Sequence, residues 1–265
     1  MSCFCCCCDR RPNNDISEPL IPNPYTPPDP VVIRRRGILV RREFQALNQQ
    51  EKDRFFRALS HMIKPTTLGE PQYFSPFFQI ASYNRWPMNF NNNIPPEMKY
   101  LWYRAYLHDF EVALQTADAT CGGDGKITLP YINVKANYAI PSQVRQFTFP
   151  EEYLQANEEL KHMNIRICAD TRDLANIEIH RGMLNEELNA VTERVLDAYG
   201  FNTEFAAFTP AFYLVLCYLD KINDRYRNDK LPGITPKSIE YWKILVPFRK
   251  LPMELIDIKN LGYTY

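Results

Sequence analysis

The chain has 265 residues, enough for one large domain or two small ones, and 45% of them are hydrophobic, so a sizeable core can form. Thirty-one Lys and Arg balance thirty-one Asp and Glu, which removes the electrostatic reason to expect a nucleic-acid partner. No apolar run reaches the roughly 18 residues of a membrane span. The opening residues lack the basic, apolar and small-residue segments of a secretory leader. The expected location is therefore the cytosol, where thiols stay reduced, and not outside the cell.

Five of the eight cysteines fall in MSCFCCCC, at Cys3, Cys5, Cys6, Cys7 and Cys8. Adjacent cysteines have the wrong Cα separation for mutual disulfides and lack the paired spacing of a zinc site. Several thiols at a chain end suit reversible S-acylation and peripheral membrane association; a solvated segment with free thiols is the alternative. Residues 9–36 follow with seven prolines between positions 12 and 30 and no hydrophobic period. The expectation for 1–36 is a cysteine-rich tip and a disordered, proline-rich linker. The Arg34–Arg36 and Arg41–Arg42 runs are read as part of a solvated linker.

From residue 42 the pattern becomes helical: Phe44, Leu47, Phe55, Leu59 and Met62 fall near one face. Asn48, with Glu51 three residues later, has the form of a capping box. A proline- and aromatic-rich loop is expected at 74–100, then a helix over 100–116. The turn CGGDGK (121–126) leads to an expected short buried strand in ITLPYINV. Two more helices are expected, over 172–198 and 208–226, before a mixed, proline-punctuated stretch at 231–265.

The order of these blocks carries a resemblance. Arg42, Phe44, Leu47, Glu51 and Lys52 match an opening helix, and FFQIASYNRWP, WYRAYLHDFEVAL, TLPYINV, IEIHRGMLNEE and FTPAFYLVLCYLDKI follow in sequence. Together they resemble the type-3 copper proteins, the tyrosinase–haemocyanin group, most strongly over 40–230. The resemblance implies a mainly α fold, a tyrosinase-like helical bundle with short β elements and long loops, occupying 37–265.

That group holds two coppers with six imidazoles, and this chain has four histidines in all: His61, His108, His162 and His180. Mapped block by block, the ligand positions fall on Asn84, Tyr103, Leu184 and the Val215–Leu216 pair, with His180 alone retained. Aliphatic side chains cannot ligate, and neutral imidazole is the donor that suits copper at neutral pH. The resemblance therefore implies a copper ancestry without a copper cofactor, and no metal is expected here.

Two kinds of function remain open from sequence. One is a non-catalytic binding or scaffolding module for an unidentified protein partner or an aromatic small molecule. The other is an enzyme. It would be either a phenol oxidoreductase whose ligands are misaligned, or a metal-independent isomerase or cyclase. The isomerase or cyclase would act on an aromatic small molecule through the candidates Tyr103 and His180, in a pocket lined by Tyr83, Trp86, Trp102 and Phe212.

Overall fold

The computed structural model describes residues 37–64, 75–84, 98–134, 140–145, 147, 178–179, 183, 185–201, 206–226 and 244–265. These residues belong to one compact unit that spans Arg35–Tyr265. Among them the architecture is mainly helical, and no helix is long and apolar enough to cross a membrane. The cysteine tip and linker of 1–36 lie outside the described residues, as do Trp86, His162, His180 and Leu184.

After strand β1 (Leu39–Val40) and a 3-10 turn at Phe44–Ala46, helix α1 runs Gln49–Ile63. Asn48 caps it as the sequence predicts. Its side chain accepts from the Glu51 N–H at 2.9 Å, and the Glu51 carboxylate accepts from the Asn48 N–H at 2.9 Å. Two N–H groups that a helix start leaves unmatched are thereby satisfied. His61 lies in the last turn of α1. Helix α2 (Pro76–Ser82) begins with Pro76, whose missing N–H costs nothing in a first turn, and Ser75 accepts from the Phe78 N–H at 3.2 Å.

Helix α3 (Lys99–Thr120) is the centre of the unit. It buries residues on every side, including Leu101, Ala105, Leu107, Phe110 and Leu114, as a helix enclosed by others must. Helices α1 and α2, α6 (Pro210–Tyr226) and the short α7 (Pro252–Leu255) all pack on α3. Helices α4 (Ser142–Arg145) and α5 (Asn185–Ala198) pack on α6. Between α3 and α6 the core is aromatic. The Phe110 and Tyr213 rings stack with centroids 3.7 Å apart, and Trp102 stacks on Tyr106 at 5.3 Å. The Tyr106 and Tyr213 hydroxyls meet at 3.0 Å, and the Tyr106 hydroxyl also lies 3.0 Å from the Ile80 carbonyl, so no polar end of these rings is left unmatched.

Three expectations change. The ITLPYINV segment is extended but joins no sheet. Tyr131 makes a single parallel bridge to Glu43, and the Ile132 N–H goes to the Leu214 carbonyl of α6. Of the helix expected over 172–198, Asn185–Ala198 is helical and 178–179 and Met183 are not; 172–177, 180–182 and 184 lie outside the described residues. Finally, among the described residues a sheet forms where none was expected: β1 pairs in parallel with β2 (Tyr263–Thr264), Leu39 opposite Tyr263 and Val40 opposite Thr264. The segment 244–265 is thus part of the core, and the compact unit extends well past residue 230.

Candidate functional site

Tyr103 of α3 and Leu216 of α6, two of the positions that the resemblance sets against ligands, line the same cleft, which α5 closes with Asn189, Thr192 and Glu193. Lys99 and Glu193 form an ion pair between α3 and α5 beside it. The enclosed space would hold about one water molecule. Val215 and Leu216 are buried, at 0% and 1% exposure. The Tyr103 ring packs edge-on to Trp102 at 5.5 Å, and burial, followed by the nearby Glu193 carboxylate, pushes its phenol above the ordinary tyrosine value. Asn84 sits just past α2, its N–H donating to the Ala81 carbonyl at 3.1 Å.

A pair of coppers does not fit these groups. Val215 and Leu216 offer no lone pair, a carboxamide is a weak donor for copper, and a buried phenol that resists ionisation is a poor anionic ligand. Among the described residues no group of three or more His, Cys, Asp or Glu side chains is placed to hold a metal. His108 lies on α3 with its Nδ1 3.5 Å from Asp109 Oδ1, and it does not line the Tyr103–Leu216 cleft.

Of the aromatic residues expected to line a pocket, Trp86 lies outside the described residues, and Tyr83, Trp102 and Phe212 pack against other rings. Trp102 donates its indole N–H to the Val246 carbonyl at 3.0 Å and packs on Phe248. Tyr83 meets the same Phe248 ring at 6.0 Å. Phe212 is wedged between Tyr106 and Phe201, with centroids at 6.4 and 5.6 Å. Trp102 and Phe212 are enclosed in the core and do not line the cleft that holds Tyr103 and Leu216.

The strongest polar constellation was not anticipated. Arg41, read from sequence as part of a solvated linker, is 1% exposed and lies at its centre. Its guanidinium forks onto Glu111 of α3, with Nε to Oε1 at 3.1 Å and Nη2 to Oε2 at 3.0 Å. It also faces Asp220 of α6 at 3.4 Å, donates to the Tyr265 hydroxyl at 2.9 Å and stacks over the Tyr263 ring at 3.4 Å. Arg104 of α3 holds the other Asp220 oxygen at 2.7 Å and donates to the carbonyls of Leu255 and Ile256, which end α7. The Tyr263 and Tyr265 hydroxyls each lie 2.7 Å from Asp220 Oδ2. Glu111 also accepts from the Leu129 N–H at 2.7 Å.

Two cations thus meet two anions, with tyrosyl hydroxyls and backbone groups taking up most of the remaining valences. Burial alone would push the Asp220 carboxyl up. The Arg104 and Arg41 charges and the bond from Tyr265 outweigh it and hold the group below the usual carboxylate range. Cys217, one turn from this centre, is pushed up to about 12 by burial and is an inert thiol. A sequence signal for the network existed: Arg104 stands inside the apolar run LWYRAYL and Asp220 directly follows FYLVLCYL, and a charge enclosed that way must be paired.

A second ionic cluster closes the turn after α3. Arg54 of α1 holds Asp118 through Nε at 2.7 Å and also pairs with Asp124, while Asp118 accepts from the Gly125 N–H at 2.9 Å. The hydrogen bond from Arg54 lowers the Asp118 carboxyl. No protein-family model, curated protein or solved structure matches the chain.

Proposed function

We propose that the chain is a descendant of the type-3 copper fold that works without a dicopper centre, as a non-catalytic binding or scaffolding module. One observation carries this. The positions that correspond to the ligand-bearing pair of the last helix are Val215 and Leu216, both enclosed by protein, beside a cleft with room for about one water. Aliphatics at such a place favour a dry, metal-free interior, because buried polar groups without partners are costly. The ionic network between α3, α6 and the 263–265 segment supplies cross-links that do not depend on a metal.

The alternative is an isomerase or cyclase that uses Tyr103 and His180 on an aromatic small molecule. It has less support, because a phenyl ring needs far more space than the cleft encloses.

The test is purification without added metal, followed by elemental analysis and assay of catechol and monophenol oxidation. The expected result is substoichiometric copper and zinc and no oxidation. Near-equimolar copper with catechol turnover would replace this reading with that of a phenol oxidoreductase.

A further inference from the structure

We infer that the cavity beside the turn after α3 binds a small, hydroxyl-bearing phosphate ester, with Arg57 as its main anion receptor. The site shares no lining residue with the Tyr103–Leu216 cleft and does not rest on the non-catalytic reading.

The cavity has a volume of about 310 Å³ and is lined by Arg54 and Arg57 of α1, by Asp118 of α3 and by the Cys121–Asp124 turn. That is the lower end of the size of small-molecule sites, roughly 300–1,000 Å³. The turn leaves the space open because it lacks side chains. Gly122 sits at φ +84°, and a Cβ there would meet nothing within 4 Å.

Hydrogen-bond acceptors around the cavity are largely spent, whereas donors are left over. The turn takes up the last carbonyls of α3: the Cys121 N–H donates to Ala117, the Gly122 N–H to Ala119 and the Gly123 N–H to Asp118, at 3.0, 3.1 and 2.8 Å. The Asp118 carboxylate accepts from Arg54 Nε at 2.7 Å, from Arg54 Nη2 at 2.5 Å and from the Gly125 N–H at 2.9 Å. Asp124 pairs with Arg54 and also feels the Lys126 charge. Three cations against two carboxylates leave one positive charge. It belongs to Arg57, which is exposed and has no ion-pair partner among the described residues. Arg57 lies three residues after Arg54, hence beside it on the helix surface. The Nη1 hydrogens of Arg54 are likewise unclaimed among the described residues.

Two neighbouring guanidiniums suit a phosphate better than a carboxylate. A carboxylate offers two oxygens in one plane, enough for one fork, whereas a phosphate monoester offers three oxygens and up to two charges. Asp124 refines the choice. Its side chain is 55% exposed, and Oδ2 accepts from no described residue. A bare anion would meet that oxygen with repulsion. An ester that carries a hydroxyl next to its phosphate gives it a donor, and the cavity has room for such a ligand.

The experiment is calorimetric titration of the full chain with ribose 5-phosphate, inorganic phosphate and ribose. In parallel, iodoacetamide alkylation of Cys121 is followed by peptide mass spectrometry. Binding of ribose 5-phosphate is expected to exceed that of inorganic phosphate, with none for ribose, and the bound ester should slow Cys121 alkylation. Arg57→Ala should bind about 10- to 100-fold more weakly. Arg57→Lys, which keeps the charge without the fork, should fall between that variant and wild type. Arg194→Ala, on α5 and outside the cavity, should bind as wild type, and all three variants should keep the wild-type melting temperature. Failure of ribose 5-phosphate to bind overturns the inference, as does binding that leaves Cys121 alkylation unchanged. Equal weakening by Arg57→Ala and Arg194→Ala overturns it as well, and so does inorganic phosphate or ribose binding as tightly as the ester.

Discussion

Replacing Asp220 with Asn tests the buried network most directly. The carboxylate accepts from Arg104 and from the hydroxyls of Tyr263 and Tyr265, each at 2.7 Å, and faces Arg41 at 3.4 Å. An amide of the same shape keeps one acceptor oxygen but turns the other into a donor. That donor then points at two hydroxyls or at a guanidinium, and Glu111 is left as the only anion among two buried cations. Removing one member of such a buried set costs about 3–5 kcal/mol. At about 2–4 °C per kcal/mol for a domain of this size, the melting temperature should fall by about 6–20 °C.

The pH dependence follows from the direction of the Asp220 shift. Its carboxyl is depressed in the folded state, so its contribution is fully present above the unfolded carboxylate value of about 3.9 and is lost as pH falls through the lower folded value. The gap between wild type and Asp220→Asn in urea titrations should be constant from about pH 5 to 7 and close below about pH 4. Asp224→Asn is the control. It lies 3.7 Å from Arg104 with a side chain 35% exposed, and it should cost under about 1 kcal/mol. A loss below about 1 kcal/mol for Asp220→Asn, or a gap that does not close in acid, would refute the pairing described above.

Two further substitutions probe other parts of the unit. Leu216→His should destabilise by about 1–3 kcal/mol in chemical denaturation, since it forces a ring of different shape into a position 1% exposed beside a cleft with room for about one water. A Cβ at Gly123 would overlap the Asp118 carboxylate and push it off Arg54 and the Gly125 N–H. Gly123→Ala should therefore lower stability by about 1–3 kcal/mol, whereas Gly37→Ala, with nothing within contact distance, should be neutral in the same melts.

What could be read from sequence was whatever depends on near neighbours. The Asn48–Glu51 box is a three-residue geometry and appears as expected. The α3 and α6 segments carry apolar residues dense enough to declare themselves, and their bounds differ from expectation by a few residues, partly because a 3-10 turn at Ala206–Phe208 precedes α6. The juxtaposition of Tyr103 with Leu216 was legible only through block order. What stayed hidden depends on distant partners. Arg41 looks like any linker arginine until Glu111 and Asp220, 70 and 179 positions away, are brought around it. Tyr131 lies in a segment with strand-like composition, but its backbone found a helix-entry turn and α6 in place of a neighbouring strand. The packing of Tyr83 and Trp102 stayed hidden for a related reason: Phe248, which meets both rings, lies beyond the span of the resemblance.

The parallel pairing of β1 with β2 has a consequence for biosynthesis. Parallel neighbours need a crossover between them, and here the crossover is the body of the domain. Arg41 is translated 224 residues before Tyr265, an interval of roughly 10–45 s at ordinary elongation rates. Throughout that time its guanidinium lacks the two tyrosines that enclose it, and β1 lacks the strand that it joins. A nascent chain can assemble α1, α2 and α3 early, because their contacts are comparatively local, but the pairing of β1 waits for residues 263–265 to appear. The domain is thus expected to mature only after residue 265 is available, with ribosome-bound intermediates protease-sensitive at β1 until then.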